Sequence, residues 1–307
     1  MKILVTGASG FVGRHLVGRL LASGHEVAGV DTSGKSIPVG VRMVVGDLGD
    51  PLLRREAIAD GCDAVVHLAT VPGGAAEVDP EASRRINIDA MYDLLEGAGA
   101  ARPGVRFVYA SSIAVYGAPL PAAGVDDATP LSPRMIYGGH KAMMETAVAM
   151  LSNRGVIDGV SLRLSGILAR PKGPSGMKSA FMSNLFHALM GNEAFVCPVS
   201  REATIWAQSV ERCVDNLVHA LSCDTGLLPP TRAVTLPVLR IAMGDLSREI
   251  ARQCGVSETL VSYQPDATLE AAFGTHPALS TPAAHRAGFA ADADLGNIVS
   301  SALKTLT

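Results

Sequence analysis

The sequence predicts an α/β fold: a doubly wound parallel sheet with a smaller mixed lobe at its C-terminal end. Three observations carry this. Short β-branched runs alternate with amphipathic helical stretches through the first half of the chain. Those runs are almost continuously apolar, as strands are when helices cover both faces of a sheet. A glycine-rich turn joins the first run directly to the first helical stretch.

The strands read as Lys2–Thr6, Glu26–Asp31, Arg42–Gly46, Ala64–Leu68, Arg106–Ser111 and Gly159–Leu164. Between them, helices read as Phe11–Ala22, Leu52–Ala59, Glu81–Gly97 and Met135–Leu151. Pro80 stands just before the third, where a helix start tolerates proline. Repeated strand–helix–strand units are what build a parallel sheet. After Leu164 the rhythm breaks at a Pro/Gly loop, residues 170–176. Helical patterns follow at Lys178–Met190, Gln208–Ser222, Gly244–Gln253 and Ala291–Leu306. The expected organisation is a first lobe of residues 1–164 with a returning segment near 208–240. A second, ligand-binding lobe would be made of 165–207 and 241–307.

Composition narrows the function classes. The chain has 26 Lys+Arg against 29 Asp+Glu, a net charge of −3, so it carries no basic footprint for nucleic acid or an anionic membrane surface. With 48% hydrophobic residues it can bury a substantial core. No apolar run approaches the roughly 20 residues that span a bilayer. The N-terminal Ile3-Leu4-Val5 is broken at once by Thr6-Gly7, unlike a signal peptide. The five scattered cysteines form no CxxC or Cys/His cluster, so no metal site is expected; reduced thiols and a cytoplasmic location are.

The first chemical motif is Thr6-Gly7-Ala8-Ser9-Gly10-Phe11-Val12-Gly13. Gly7 suits a tight turn, Gly10 a close approach of pyrophosphate, and Gly13 the packing of helix on strand. The helix N-terminus then offers free N–H groups and a positive dipole end to phosphate. This makes the sheet Rossmann-type and the ligand a dinucleotide. Asp31 ends the second strand, 18 residues after Gly13, where an acid accepts hydrogen bonds from the adenosine ribose. Its charge repels a 2′-phosphate, so NAD is expected over NADP. Asp47-Leu48 ends the third strand; Asp47 suits either the adenine amino group or a helix cap before Pro51.

The second motif is Tyr137-Gly-Gly-His-Lys141. Residues four apart share a helix face, so the ammonium can approach the phenol and lower its pKa. Such a tyrosine can take a proton from an alcohol while hydride leaves the carbon. Ser111-Ser112 closes the fifth strand, and open parallel sheets bind ligands at their strands' carboxyl ends.

These residues together resemble the extended branch of the short-chain dehydrogenase/reductase superfamily, along nearly the whole chain. The markers are the glycine motif, Asp31, His67-Leu68-Ala69, Asn87, Ser112, and Tyr137 with Lys141. The resemblance implies Ser112, Tyr137 and Lys141 as the catalytic set. It implies Ser9, Phe11, Val12, Leu48, Leu68, Ala69, Ser111 and Ile167 as further cofactor-lining residues, and Asn87 on the helix beneath the site. Ser111–Pro121, Leu162–Pro171 and Cys197–Ser209 further resemble sugar-acid dehydrogenases of that branch. That implies NAD-dependent oxidation of a small 2-hydroxy acid at C2 to the 2-keto acid. The chain departs from that pattern at Ile136, Ser165-Gly166 and Ala207. Thr70, Ser112, Ser165 and Trp206 are the expected substrate contacts, Trp206 equally suiting a core position. Arg170, Lys172 and Arg201 are candidate partners for the acid's carboxylate, since arginine binds one bidentately.

Two other readings stand beside this one. Nucleotide-sugar epimerases of the same branch carry an Asn after the sixth strand and a diphosphate-gripping Arg; here stand Ser165-Gly166 and, from 204 to 210, no Arg. Dehydratases need an Asp-Glu pair where Ile113-Ala114 stands. A non-catalytic NAD(H)-binding regulator tends to lose the tyrosine that is kept here. His67, at a strand end, reads as a packing histidine, and His140 points away from Tyr137 and Lys141. The helices Glu81–Gly97 and Met135–Leu151 suit pairing across a two-fold axis, as in homodimers of the superfamily.

Overall fold

A computed structural model describes residues 1–172 and 178–306. The expected loop at 170–176 lies outside the described residues from Gly173 onward.

The first half runs β1 (Lys2–Thr6), α1 (Phe11–Ala22), β2 (Glu26–Asp31), β3 (Arg42–Val45), α2 (Pro51–Ile58), β4 (Ala64–His67), α3 (Gly73–Val78), α4 (Pro80–Arg84), α5 (Met91–Ala101), β5 (Val105–Ser112), α6 (Ile136–Asn153) and β6 (Ile157–Leu164). The second half runs β7 (Gly166–Ile167), α7 (Phe181–Met190), β8 (Phe195–Cys197), β9 (Thr204–Gln208), α8 (Val210–His219), β10 (Ala233–Thr235), β11 (Leu239–Ala242), α9 (Met243–Cys254), β12 (Val261–Tyr263), α10 (Ala267–Phe273), α11 (Pro282–Arg286) and α12 (Leu295–Leu306).

Among the described residues, seven strands form a sheet in the order β10-β6-β5-β4-β1-β2-β3, every adjacent pair parallel. The order reverses direction beside β1, so the carboxyl ends of β1 and β4 flank a crevice. A smaller sheet, β11-β9-β7, joins β7 to β9 in parallel and β9 to β11 antiparallel. This is the α/β architecture the sequence predicts, with its smaller mixed part.

The expected third helix runs unbroken from Pro80 to Ala101, with a change of winding in its middle. Arg85–Ala90 winds as a π-helical segment between α4 and α5. Such segments displace the register of everything after them and often sit at functional sites. Here it turns Asn87 into the interior, 3% exposed.

The core on one sheet face joins Ile3, Val5, Leu16, Val17 and Leu20 with Val210, Val214 and Leu217 of α8. Val234 of β10 and Ala283, Ala284, Ala287 and Phe289 enter it too. The sequence places 241–307 in the other lobe, yet this stretch around α11 packs with the first sheet, because its small and aromatic side chains cover β10 and α8. A separate core gathers Leu185, Phe186, Ile205, Leu246, Ile250, Ile298 and Val299.

Candidate functional site

At the carboxyl end of β1 the chain turns on Gly7, whose φ is +71°; a Cβ there would lie 2.8 Å from the Ala69 nitrogen. At Gly13 a Cβ would lie 2.0 Å from the Gly7 carbonyl oxygen, so α1 can approach the strand only because that residue is glycine. Gly10 is the N-cap of α1 and no side chain caps it. The first N–H groups of the helix therefore face the crevice with no side-chain acceptor, which is the cradle a pyrophosphate needs. Asp31, at the end of β2, accepts a hydrogen bond from the Ser9 nitrogen at 2.9 Å, and the Ser9 hydroxyl donates to the Ser33 carbonyl. Asp31 thus braces the glycine turn and stands beside it. Phe11 and Val12 open α1, and Leu68 and Ala69 follow β4, the Leu68 nitrogen donating to the Thr6 carbonyl at 3.1 Å. Ile167 pairs with Gln208 between β7 and β9. Fold and cradle fit a dinucleotide.

Asp47 caps no helix. Its carboxylate takes hydrogen bonds from Arg85 at 2.8 Å and from the Gly49 nitrogen at 2.7 Å, and the Arg85 bond holds its pKa down. Asp50 is the residue that caps α2, through the Leu52 nitrogen. Leu48 is buried, and its carbonyl accepts from Arg54 at 2.6 Å.

Beneath the crevice, Asn87 accepts from the Thr70 hydroxyl at 3.0 Å and the Val71 nitrogen at 2.8 Å, and donates to the Val71 carbonyl at 3.0 Å. It pins the loop after β4. His140 meets the Ser83 hydroxyl at 3.0 Å, away from Tyr137 and Lys141 as helix geometry requires. His67 is buried against Thr6 at 2.8 Å, and burial pushes its pKa down to about 3. It is a packing histidine.

Ser112, Tyr137 and Lys141 converge. Ser112 ends β5, and its hydroxyl is near enough to the Tyr137 side chain to act against the rise of the phenol's pKa. Tyr137 lies in the first turn of α6, whose opening N–H at Ile136 is met by Glu77 of α3 at 2.7 Å. Lys141 is 2% exposed; its ammonium donates to the Ala110 carbonyl at 2.7 Å and lies 5.4 Å from the centre of the Tyr137 ring. The expected lowering of the phenol by this ammonium is not found. Burial pushes the Tyr137 pKa up, and it is Ser112 and the charge of Arg170 that oppose the rise. Lys141 lies against the ring and is bonded to a carbonyl, which weakens its hold on the hydroxyl.

The structure separates the three candidate cations. Arg170 brings its charge to Tyr137, and its guanidinium carbon lies 5.9 Å from the centre of the Phe11 ring. Its backbone is fixed from α7: the Arg170 nitrogen donates to Ser183 at 3.1 Å and its carbonyl meets His187 at 2.8 Å. Ala169 before it is fully buried at φ +58°, a conformation a residue with a Cβ rarely adopts. Lys172 is exposed. Arg201 is exposed too, its stem over Gly244 at the start of α9.

Two expected contacts take other positions. Trp206 is 1% exposed among Val115, Tyr116 and Val125, with its indole donating to the Pro277 carbonyl at 2.8 Å. It holds a core position, the second of the two that the sequence suited. Ser111, expected to line the cofactor, is 2% exposed and donates its hydroxyl to Glu145 at 2.5 Å. Ser165 is buried and accepts from Gln208 at 3.3 Å.

Sequence reasoning passed over Glu145, Arg163, Glu77 and Gln208. Glu145 was open to detection, because it stands one helical turn beyond Lys141 on the same face.

A model of the NAD dependent epimerase/dehydratase family matches residues 3–206. D-erythronate dehydrogenase of Cupriavidus necator is 34% identical over 314 residues, covering 97% of this chain and 97% of that protein. D-erythronate dehydrogenase of Haemophilus influenzae is 29% identical, covering 97% and 98%. A crystal structure described as the nucleoside-diphosphate-sugar epimerase from Agrobacterium tumefaciens superposes with a TM-score of 0.88 at 28% identity, over 97% of this chain and 92% of that one.

Proposed function

The chain belongs to the NAD dependent epimerase/dehydratase family and is an NAD-dependent oxidoreductase, and we propose that it oxidises a small sugar acid of the D-erythronate kind at C2, giving the 2-keto acid. The observation that carries the substrate is the Arg170 charge, which acts on the Tyr137 phenol from the wall near Phe11. A 2-hydroxy acid has its carboxylate one bond from the reacting carbon, so it needs a cation next to the proton acceptor. The D-erythronate dehydrogenases that match nearly the whole chain support the same class.

NAD, when bound, accepts the hydride. The dinucleotide would be held by Gly7, Ser9, Gly10, Phe11, Val12 and Gly13 at its pyrophosphate and by Asp31 at the adenosine ribose. Asp47, Leu48, Leu68, Ala69, Asn87 and Ile167 would complete its walls. Tyr137 takes the C2 hydroxyl proton as hydride leaves the same carbon, so an alcohol and NAD⁺ become a ketone, NADH and a proton. Ser112 hydrogen-bonds to the reacting oxygen. Lys141, bonded to Ala110 and seated beneath the Tyr137 ring, would present its ammonium to the nicotinamide ribose, so its loss would weaken dinucleotide binding as well as turnover. Arg170 orients the carboxylate, and Thr70 and Ser165 meet the remaining hydroxyls. Residues 1–164 with β10 form the dinucleotide half, and the segments around β7 and α7 the substrate half.

The protein works in the cytoplasm as a homodimer on this reading. All five cysteines are free thiols, the state a reducing compartment maintains. No helix among the described residues is long and apolar enough to cross a membrane. Val78, Met143 and Met150 leave large apolar surface exposed on α3 and α6, suited to a two-fold pairing of helices.

The test offers purified protein and NAD a panel of C4–C6 aldonic acids and nucleotide sugars, following NADH absorbance. Turnover of a four-carbon acid supports the proposal. Turnover of a UDP- or dTDP-sugar with no acid oxidised overturns it and favours the nucleotide-sugar reading, which the Agrobacterium structure's description represents.

A further inference from the structure

Helix α6 buries a charge that the chemistry above leaves without a task. Glu145 is 4% exposed. One of its oxygens accepts from the Ser111 hydroxyl at 2.5 Å and from Arg163 Nε at 2.9 Å; the other accepts from Arg163 Nη2 at 2.7 Å. Arg163 Nη1 in turn donates to the Tyr116 hydroxyl at 2.9 Å, which meets the Thr235 hydroxyl at 2.6 Å. The chain of bonds ties α6 to β5, β6 and β10 directly below the crevice. A buried ion pair of this kind is weak evidence for stability, since an apolar pair of similar volume is often as stable. Its presence calls for another reason.

Lys141 supplies one. It stands four residues before Glu145 on the same helix face. The groups that face its ammonium are the Ala110 carbonyl and the Tyr109 ring of β5, 4.7 Å away, His67 of β4, and Tyr137 and Glu145 of α6 itself. His67 is neutral near pH 7, so Glu145 is the one anion in this set. Burial draws the Lys141 pKa down to about 7, and Glu145 acts against that fall. Arg163 and Ser111 fix the carboxylate by four hydrogen bonds, so it cannot swing onto the lysine and remains a charge at a set position.

We propose that Glu145 is a positioning residue for the reaction: clamped by Arg163 and Ser111 one helical turn from Lys141, its carboxylate sets a fixed negative charge that holds the Lys141 ammonium in its seat under Tyr137. The inference rests on the reading that Lys141 serves the reaction.

The test uses the full-length protein. Glu145→Gln keeps the shape and removes the charge. NADH affinity, read from NADH fluorescence, should weaken about tenfold or more at pH 7.5 and return toward wild type near pH 6, since one pKa unit corresponds to a tenfold change. The kcat for the acid should follow the same shifted pH profile, while its KM changes little. In Glu145→Gln/Arg163→Gln the uncompensated guanidinium is gone as well. Thermal stability should recover in that double variant, and the shifted profile should persist. It also carries the test if the single variant does not fold. An NADH-binding pH profile that overlays wild type in either variant overturns the inference, because a purely structural pair would leave it unmoved. Lys141→Met separates the two levels. If it binds NADH and turns over as wild type does, the reading of Lys141 falls. If it is crippled while Glu145→Gln keeps the wild-type profile, the Glu145 inference alone falls.

Discussion

Ser111 and Ser112 are neighbours at the end of β5, and their hydroxyls serve different parts of α6. Ser111 donates into the helix layer, to Glu145 at 2.5 Å, while Ser112 lies near the Tyr137 side chain. Glu145 lies in the buried interior of α6 and Tyr137 in its opening turn. The two alanine variants should therefore fail differently. Ser112→Ala should lower kcat about 10–100-fold, at the scale of a positioned hydrogen bond to the reacting oxygen, with the melting temperature kept. Ser111→Ala leaves a buried carboxylate short of a donor, costing about 1–3 kcal/mol of stability. Urea unfolding and steady-state kinetics on both variants check the pair; equal effects on both measurements would refute the division.

Tyr137→Phe keeps the ring under which Lys141 sits and removes the proton acceptor. Turnover should fall about 100-fold or more while NADH affinity stays near wild type. Near-normal turnover in this variant would remove Tyr137 from the chemistry.

Arg170 should be separable from the other cations by KM. Arg170→Gln leaves the carboxylate unpaired in a partly dry site, a cost of about 2–5 kcal/mol, so KM for the acid should rise steeply with NADH affinity unchanged. Lys172→Gln and Arg201→Gln should behave as wild type. A loss of NADH affinity in Arg170→Gln would instead assign the guanidinium, which lies near Phe11, to the dinucleotide's pyrophosphate.

Asp31 should decide the cofactor. Its carboxylate is held in place by the Ser9 nitrogen, and a 2′-phosphate brought beside it meets a like charge worth several kcal/mol, about 10²-fold or more in kcat/KM. NAD should be preferred over NADP, and Asp31→Ser should narrow the preference. Equal use of both cofactors by the wild type would show that the charge does not face the ribose.

His67 predicts an acid-sensitive fold. Its folded pKa of about 3 lies below its ordinary value of 6.5. Between those values the unfolded chain binds a proton that the folded one refuses, so stability falls as pH drops below 6.5, by up to about 1.4 kcal/mol per unit. His67→Phe loses the Thr6 hydrogen bond and should be less stable at pH 7.5, yet lose less on moving to pH 5.5. Parallel decline of both proteins would contradict this.

Much of this architecture is written locally. The first six strands and the helix Phe11–Ala22 match the sequence reading closely because apolar periodicity and the glycine turn are short-range signals. Ser112, Tyr137 and Lys141 were legible for the same reason: a strand end and a helix turn fix their approach. Other features depend on distant partners. The π-helical segment that buries Asn87 has no sequence period of its own. Trp206 suited a core or a pocket wall until Val115, Tyr116 and Val125 enclosed it. The Tyr137 pKa turned on burial and on Arg170, thirty-three residues away, rather than on the spacing to Lys141. Glu145 and Arg163 are ordinary surface residue types whose pairing appears only when α6 lies on β6.

The core that joins α1 to α8, β10 and α11 has a consequence for synthesis. Leu16, Val17 and Leu20 emerge early, but Val210, Val214, Leu217 and Phe289, which share their core, come far later. At about 5–20 residues per second, a ribosome needs roughly 6–25 s to make the stretch from 165 to 289. Through that interval the nascent strands lack their cover, with one helix face greasy and β6 an open edge. A chaperone that shields this half until translation ends would meet its greatest demand here, and a chain terminated before Ala283 would stay its client.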